Sequence, residues 1–159
     1  MQFVSPTKGA MSLEDVALDI MRFCEEAPDG TYRLIVGSDS QPRTAHHFAL
    51  FVTAIVIHRV GKGARFYFLK RPYKKTLSFK QRIFMEASYA LEVVQQLEME
   101  MGKRGNHLPI EIHLDIGEEG ETRTLIKEIT GWITQSGYTA RIKPDSFGAS
   151  KVADRYTKF

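Results

Sequence analysis

Two aspartates are the residues of this sequence best placed to do chemistry. Asp39 closes an apolar, β-branched run in Val36-Gly37-Ser38-Asp39-Ser40-Gln41, and Asp115 closes another in His113-Leu114-Asp115-Ile116-Gly117. In an open α/β sheet the ligand site lies beyond the carboxyl ends of parallel strands. If these two strands are neighbours, a spacing of about 4.8 Å brings both carboxylates within reach of one cation. Two adjacent anions without a counter-charge repel and raise at least one pKa, so the pair makes physical sense chiefly around a metal. Oxygen-only donors select a hard ion, Mg²⁺ or Mn²⁺. Taken singly, each aspartate reads more simply as a turn cap; the pairing is what favours the cation. Glu86 is a third candidate, because helical spacing sets it at the edge of the apolar stripe of Ile83, Ala90 and Leu97. A carboxylate there is costly unless paired or metal-bound, although its head could also reach water.

A basic segment precedes Glu86. Lys70, Arg71, Lys74, Lys75, Lys80 and Arg82 surround Tyr73, and cations interleaved with an aromatic suit a nucleic-acid groove. A solvated basic loop is the competing reading. The totals do not decide between them, since 22 basic residues against 19 acidic ones leave only +3, with a pI near 9.0. Cys24 is the single cysteine, which excludes an intrachain disulfide and a cysteine-based zinc cluster and leads us to expect a reducing, cytoplasmic setting. No signal pattern and no run near ~18 apolar residues is present, so no membrane partner is expected. A Gly-rich phosphate loop and a Ser-His-Asp order are also missing from the sequence.

The elements that must position these residues can be read from periodicity. With 159 residues, 43% of them hydrophobic, the chain can close one core, and no repeat or linker divides it. Residues 1–11 read as an N-terminal arm. Ser12, followed by Glu14 and Asp15, caps an extra helix over 12–27 that ends at Pro28-Asp29-Gly30. The core, 31–159, opens with three extended segments: Thr31 to Asp39, Phe48 to Val60 and Arg65 to Arg71. Gly61-Lys62-Gly63 joins the last two as a hairpin, and Pro42-Arg43-Thr44 fits the preceding turn. A long helix runs from Ser78 to about Met101, and Ile110 to Ile116 alternates as a strand. A second helix, around Leu125 to Ile133, stops at Gly137; Tyr138 to Ile142 is a fifth strand and Ser150 to Lys158 a final helix. A long helix between strands is the crossover that parallel pairing requires. The expected fold is therefore α/β, with a mixed five-stranded sheet in the order βββαβαβα after an added N-terminal helix.

That order, with an Asp on the first strand, a Glu on the long helix, an Asp on the fourth strand and an Asp in the last helix, resembles the ribonuclease H-like superfamily from about Thr31 onward. Ser38-Asp39-Ser40, Met85-Glu86-Ala87, His113-Leu114-Asp115 and Val152-Ala153-Asp154 carry the likeness. Within it, Gly37-Ser38-Asp39-Ser40-Gln41 and the stretch from Lys143-Pro144-Asp145 to Arg155-Tyr156-Thr157-Lys158 look like the bacterial YkuK family. The resemblance implies that Asp39, Glu86, Asp115 and Asp154 bind two divalent ions for in-line attack of water on a phosphodiester. One departure is clear: no His follows His113, and where classical members carry one before the last helix this chain has Lys143-Pro144-Asp145, making Asp145 a possible additional acid.

The expected activity is that of a metal-dependent nuclease acting on RNA, DNA or a hybrid, with Lys70, Arg71, Tyr73, Lys74, Lys75 and Lys80 on the phosphate backbone. The rival is a non-catalytic nucleic-acid or protein-binding module that keeps the fold without turnover. A small-molecule phosphate hydrolase is a third reading, separable by its weak salt dependence of binding.

Overall fold

Two of the helices begin where the sequence supplies caps. In a computed structural model, which describes residues 1–43, 45, 47–117, 123–143, 145–146, 152–153 and 156, helix α1 covers Leu13–Glu26. The Asp15 amide donates to Ser12 Oγ and the Ser12 amide to the Asp15 carboxylate, both at 3.1 Å. Two amides that the first turn leaves unpaired are thereby satisfied. Helix α2, Phe79–Gly102, opens on the same device built from Ser78 and Gln81. Helix α3, Arg123–Gln135, is followed by Gly137 at φ +91°, a conformation that glycine adopts without penalty.

The strands are β1 (Gln2–Ser5), β2 (Gly9–Ser12), β3 (Tyr32–Arg43), β4 (Phe48–Arg59), β5 (Ala64–Tyr73), β6 (Ile110–His113) and β7 (Thr139–Arg141). They form one mixed sheet in the order β2-β1-β5-β4-β3-β6-β7. The antiparallel meander of β3, β4 and β5 is as expected. Helix α2 carries the chain back past β3, so β6 lies beside β3 in parallel, and α3 crosses over to β7, parallel to β6. Alternation along β3 and β6 sends Leu34, Val36, Ile110, Ile112 and Leu114 into the main core with Val16, Ile20, Ala90, Val94, Leu97 and Ile129 of the helices. Ile35, Val52, Ala54 and Phe68 point to the other face, where Ala153 packs and the Tyr156 ring stacks on Phe68 with centroids 3.8 Å apart.

Two expectations change. Residues 1–11 are not an arm: β1 and β2 form a hairpin that adds to the free edge of β5 through Val4 and Phe68, so the sheet has seven strands, not five. Phe3, with no exposed surface, and Met11, at 7%, reach the main core from it; burying them supplies the free energy for ordering the hairpin. Asp39 does not close its strand either. β3 continues through Pro42 to Arg43 because β4 pairs with it throughout, and proline is tolerated where a strand has a neighbour on one side only. Of the expected final helix, 152, 153 and 156 are helical, and the rest, Asp154 included, lies outside the described residues.

Candidate carboxylate site

The β3–β6 ladder runs from Leu34↔Ile110 to Gly37↔His113. Carried two residues on, this register sets Asp39 opposite Asp115, at the level where β6 has ended and β3 continues. Both belong to the odd-numbered set, which faces away from the three helices. Adjacent strands lie about 4.8 Å apart, so the two backbones are close enough for their carboxylates to share a ligand. Asp39 is partly buried, and the Asp115 side chain is 41% exposed, with Oδ1 3.1 Å from Lys143 Nζ.

Glu86 approaches from α2, on the other side of the sheet, and is 6% exposed. Ser40, one residue past Asp39 and therefore turned toward the helices, donates its hydroxyl to Glu86 Oε2 at 2.6 Å. Arg82, one helical turn before Glu86, donates to the same hydroxyl at 3.0 Å and to the Ser40 carbonyl at 3.3 Å. Burial pushes the Glu86 carboxyl up to about 8; the charges of Asp39 and Asp115 add to the rise, against the Ser40 hydrogen bond and the Arg82 charge. The Glu86 carboxyl is thus near enough to Asp39 and Asp115 to feel the charge of each. Among the described residues, no three His, Cys, Asp or Glu side chains are gathered closely enough to hold a metal ion by themselves. Glu86 is turned to Ser40 and Asp115 to Lys143. Asp154 falls outside the described residues, and Asp145 is exposed in the turn after β7.

A further acid, on strand β6, fixes the strands beneath this pair. Glu111 of β6 receives Arg33 of β3 in two-point fashion, Nη2 at 2.7 Å and Nε at 2.9 Å, and Arg141 of β7 at 2.9 Å. Fully buried His113 adds a contact at 3.2 Å. The Arg33 hydrogen bonds are the largest reason why the Glu111 carboxyl is held down at about 2. Its two arginine partners are distant in sequence, so only the sheet order could have disclosed it.

The basic segment is divided by the sheet. Asp39, Val52 and Lys70 share one row across β3, β4 and β5, and alternation turns exposed Lys70 to the face of Asp39. Arg71 and Tyr73 turn to the opposite face. There the Arg71 guanidinium binds the Glu92 carboxylate at 3.0 Å and lies 4.5 Å from the centre of the Tyr89 ring, while Tyr73 meets the edge of Phe51. Lys74, Lys75 and Lys80 are exposed between β5 and the first turn of α2. No helix among the described residues is long and apolar enough to cross a membrane.

Comparison with known proteins agrees with this architecture. A family model described as Ribonuclease H-like matches residues 15–158. A protein of Bacillus subtilis (strain 168), described as "Uncharacterized protein YkuK", is 34% identical over 171 aligned positions, which cover 98% of this chain and 96% of that protein. A family match across nearly the whole chain, over a mixed sheet in which β6 runs parallel to β3, leads to one conclusion: the chain belongs to the ribonuclease H-like family.

Proposed function

We propose that this protein is a divalent-metal-dependent nuclease, hydrolysing phosphodiester bonds of RNA, DNA or a hybrid. Asp39 and Asp115 would hold Mg²⁺ or Mn²⁺, and Glu86 and Asp154 would complete the shell. The observation that carries this reading is the parallel β3–β6 register, whose last pair, Gly37↔His113, lies two residues before Asp39 on one chain segment and two before Asp115 on the other. The donor set fits a hard dication in kind, since it offers carboxylate oxygens and no sulfur. A divalent ion there supplies activation of water and charge stabilisation at the phosphoryl group. The chain's own residues do the rest. Ser40 orients the Glu86 carboxyl, Arg82 fixes Ser40, and the Arg33–Glu111–Arg141 clamp keeps β3, β6 and β7 in register under the pair. Lys70, on the row of Asp39, supplies a positive charge for a phosphate backbone running over that face, with Lys74, Lys75 and Lys80 at its margin.

A non-catalytic nucleic-acid-binding module is the second reading, and one observation favours it: Asp115 already has a counter-charge in Lys143. Cleavage assays with Mn²⁺ on RNA, DNA, hybrid and branched substrates separate the two. The nuclease reading expects cleavage that falls about 10²-fold or more in Asp39→Asn with the melting curve intact. Wild-type rates in that variant would sink the site assignment. No cleavage of any substrate, with no effect of Mn²⁺ on melting, would favour the binding module.

A further inference from the structure

The chain that carries Lys143 is fixed to the chain that carries Asp115. The Leu114 amide donates to the Arg141 carbonyl at 2.8 Å, and the Lys143 amide donates to the Ile116 carbonyl at 2.9 Å. Pairing thus continues beyond the last residues of β6 and β7 and sets the root of the Lys143 side chain beside Asp115. Its stem passes Gly117, where an added Cβ would stand 3.8 Å from Lys143 Cβ. The ammonium itself is 58% exposed on a flexible four-carbon stem. The tether is rigid and the charge is movable. An exposed ion pair of this kind is weak and readily displaced, whereas a dication facing two carboxylates is bound by both.

We propose that Lys143 is an intrinsic counter-cation of Asp115: it occupies that carboxylate until a divalent ion displaces it, and so helps to set the ion concentration at which the site fills. This rests on the metal site proposed above. Lys143 and a dication would compete for the Asp115 carboxylate, and at short range the ammonium would also repel the incoming charge. Arg82 is committed to Ser40 and lies on the helix side.

The test is titration of the full chain with Mn²⁺, read as loss of the free-ion electron paramagnetic resonance signal, in the wild type, Lys143→Met and Lys143→Arg. Removing the charge should tighten Mn²⁺ binding by about three- to tenfold, and Lys143→Arg, which keeps the charge, should stay within about twofold of the wild type. Unchanged or weaker binding in Lys143→Met overturns the inference and leaves the metal site standing. An equal gain in Lys143→Arg overturns it too, since the effect would then not come from charge. If neither the wild type nor Lys143→Met binds Mn²⁺, the metal site fails and the inference falls with it.

Discussion

Glu86 shows how one residue reports on the whole site. It is buried, accepts a hydrogen bond from Ser40 and faces the charges of Asp39 and Asp115, so its carboxyl keeps a proton up to about pH 8. In the unfolded chain the same group releases its proton near its ordinary value of 4.5. Between those pH values the native state binds more protons than the unfolded state, so this group's contribution to stability is complete below about 4.5 and falls as pH rises through 8. Glu86→Gln keeps an acceptor for Ser40 and cannot ionise. We expect it to match the wild type at pH 4 and to exceed it by roughly 2–4 kcal/mol at pH 9, measured by urea denaturation in the absence of divalent ions. A constant difference at both pH values would mean that Glu86 acts through packing and not through its charge.

At the scale of elements, a buried acid adds a polar anchor to the β1–β2 hairpin. Asp19 on α1, 3% exposed, takes the Lys8 ammonium from the hairpin turn, the Tyr67 hydroxyl from β5 and Arg65 Nη1 at 3.2 Å. Burial alone would raise its pKa. Hydrogen bonds from Lys8 and Tyr67, with the charges of Lys8 and Arg65, outweigh burial and hold the carboxyl below its ordinary range. Asp19→Ala would leave a buried tyrosine hydroxyl and two cations without this partner. Because Lys8 and Arg65 are partly solvated, the expected loss is about 2–4 kcal/mol, toward the lower end for removing one member of a buried pair. Amide hydrogen exchange should show the loss first in residues 2–12. Slow exchange there in the variant would contradict an anchoring role.

At the scale of the molecule, the candidate site joins β3, β6 and α2, which the chain visits far apart, so a bound ion stabilises the native fold and not the unfolded chain. At an Mn²⁺ concentration of 100 times its Kd, this linkage amounts to about 2.7 kcal/mol. For a domain of this size the melting temperature should rise by about 5–10 °C. Thermal melts with and without Mn²⁺ check it: the rise should be present in the wild type and lost in Asp39→Asn. A rise retained in Asp39→Asn would place the ion elsewhere.

The sequence by itself determined the pieces whose information is local. Ser12 and Ser78 start helices, Gly137 follows the end of one, and the alternation of Ile110, Ile112 and Leu114 makes a strand, because a cap or a two-residue period depends on neighbours a few positions away. The candidate acids were legible for the same reason, each standing out against a local apolar pattern. Only the tertiary structure decided what faces what. It gave Arg71 to Glu92, drew Arg33 and Arg141 onto Glu111, brought Lys143 onto Asp115 and recruited residues 2–12 to the sheet. Those pairings depend on strand order and register, which are set by burying one continuous core and not by any short run of residues. Asp39 and Asp115 are readable one at a time in the chain, and they become opposite one another only through the parallel ladder between β3 and β6.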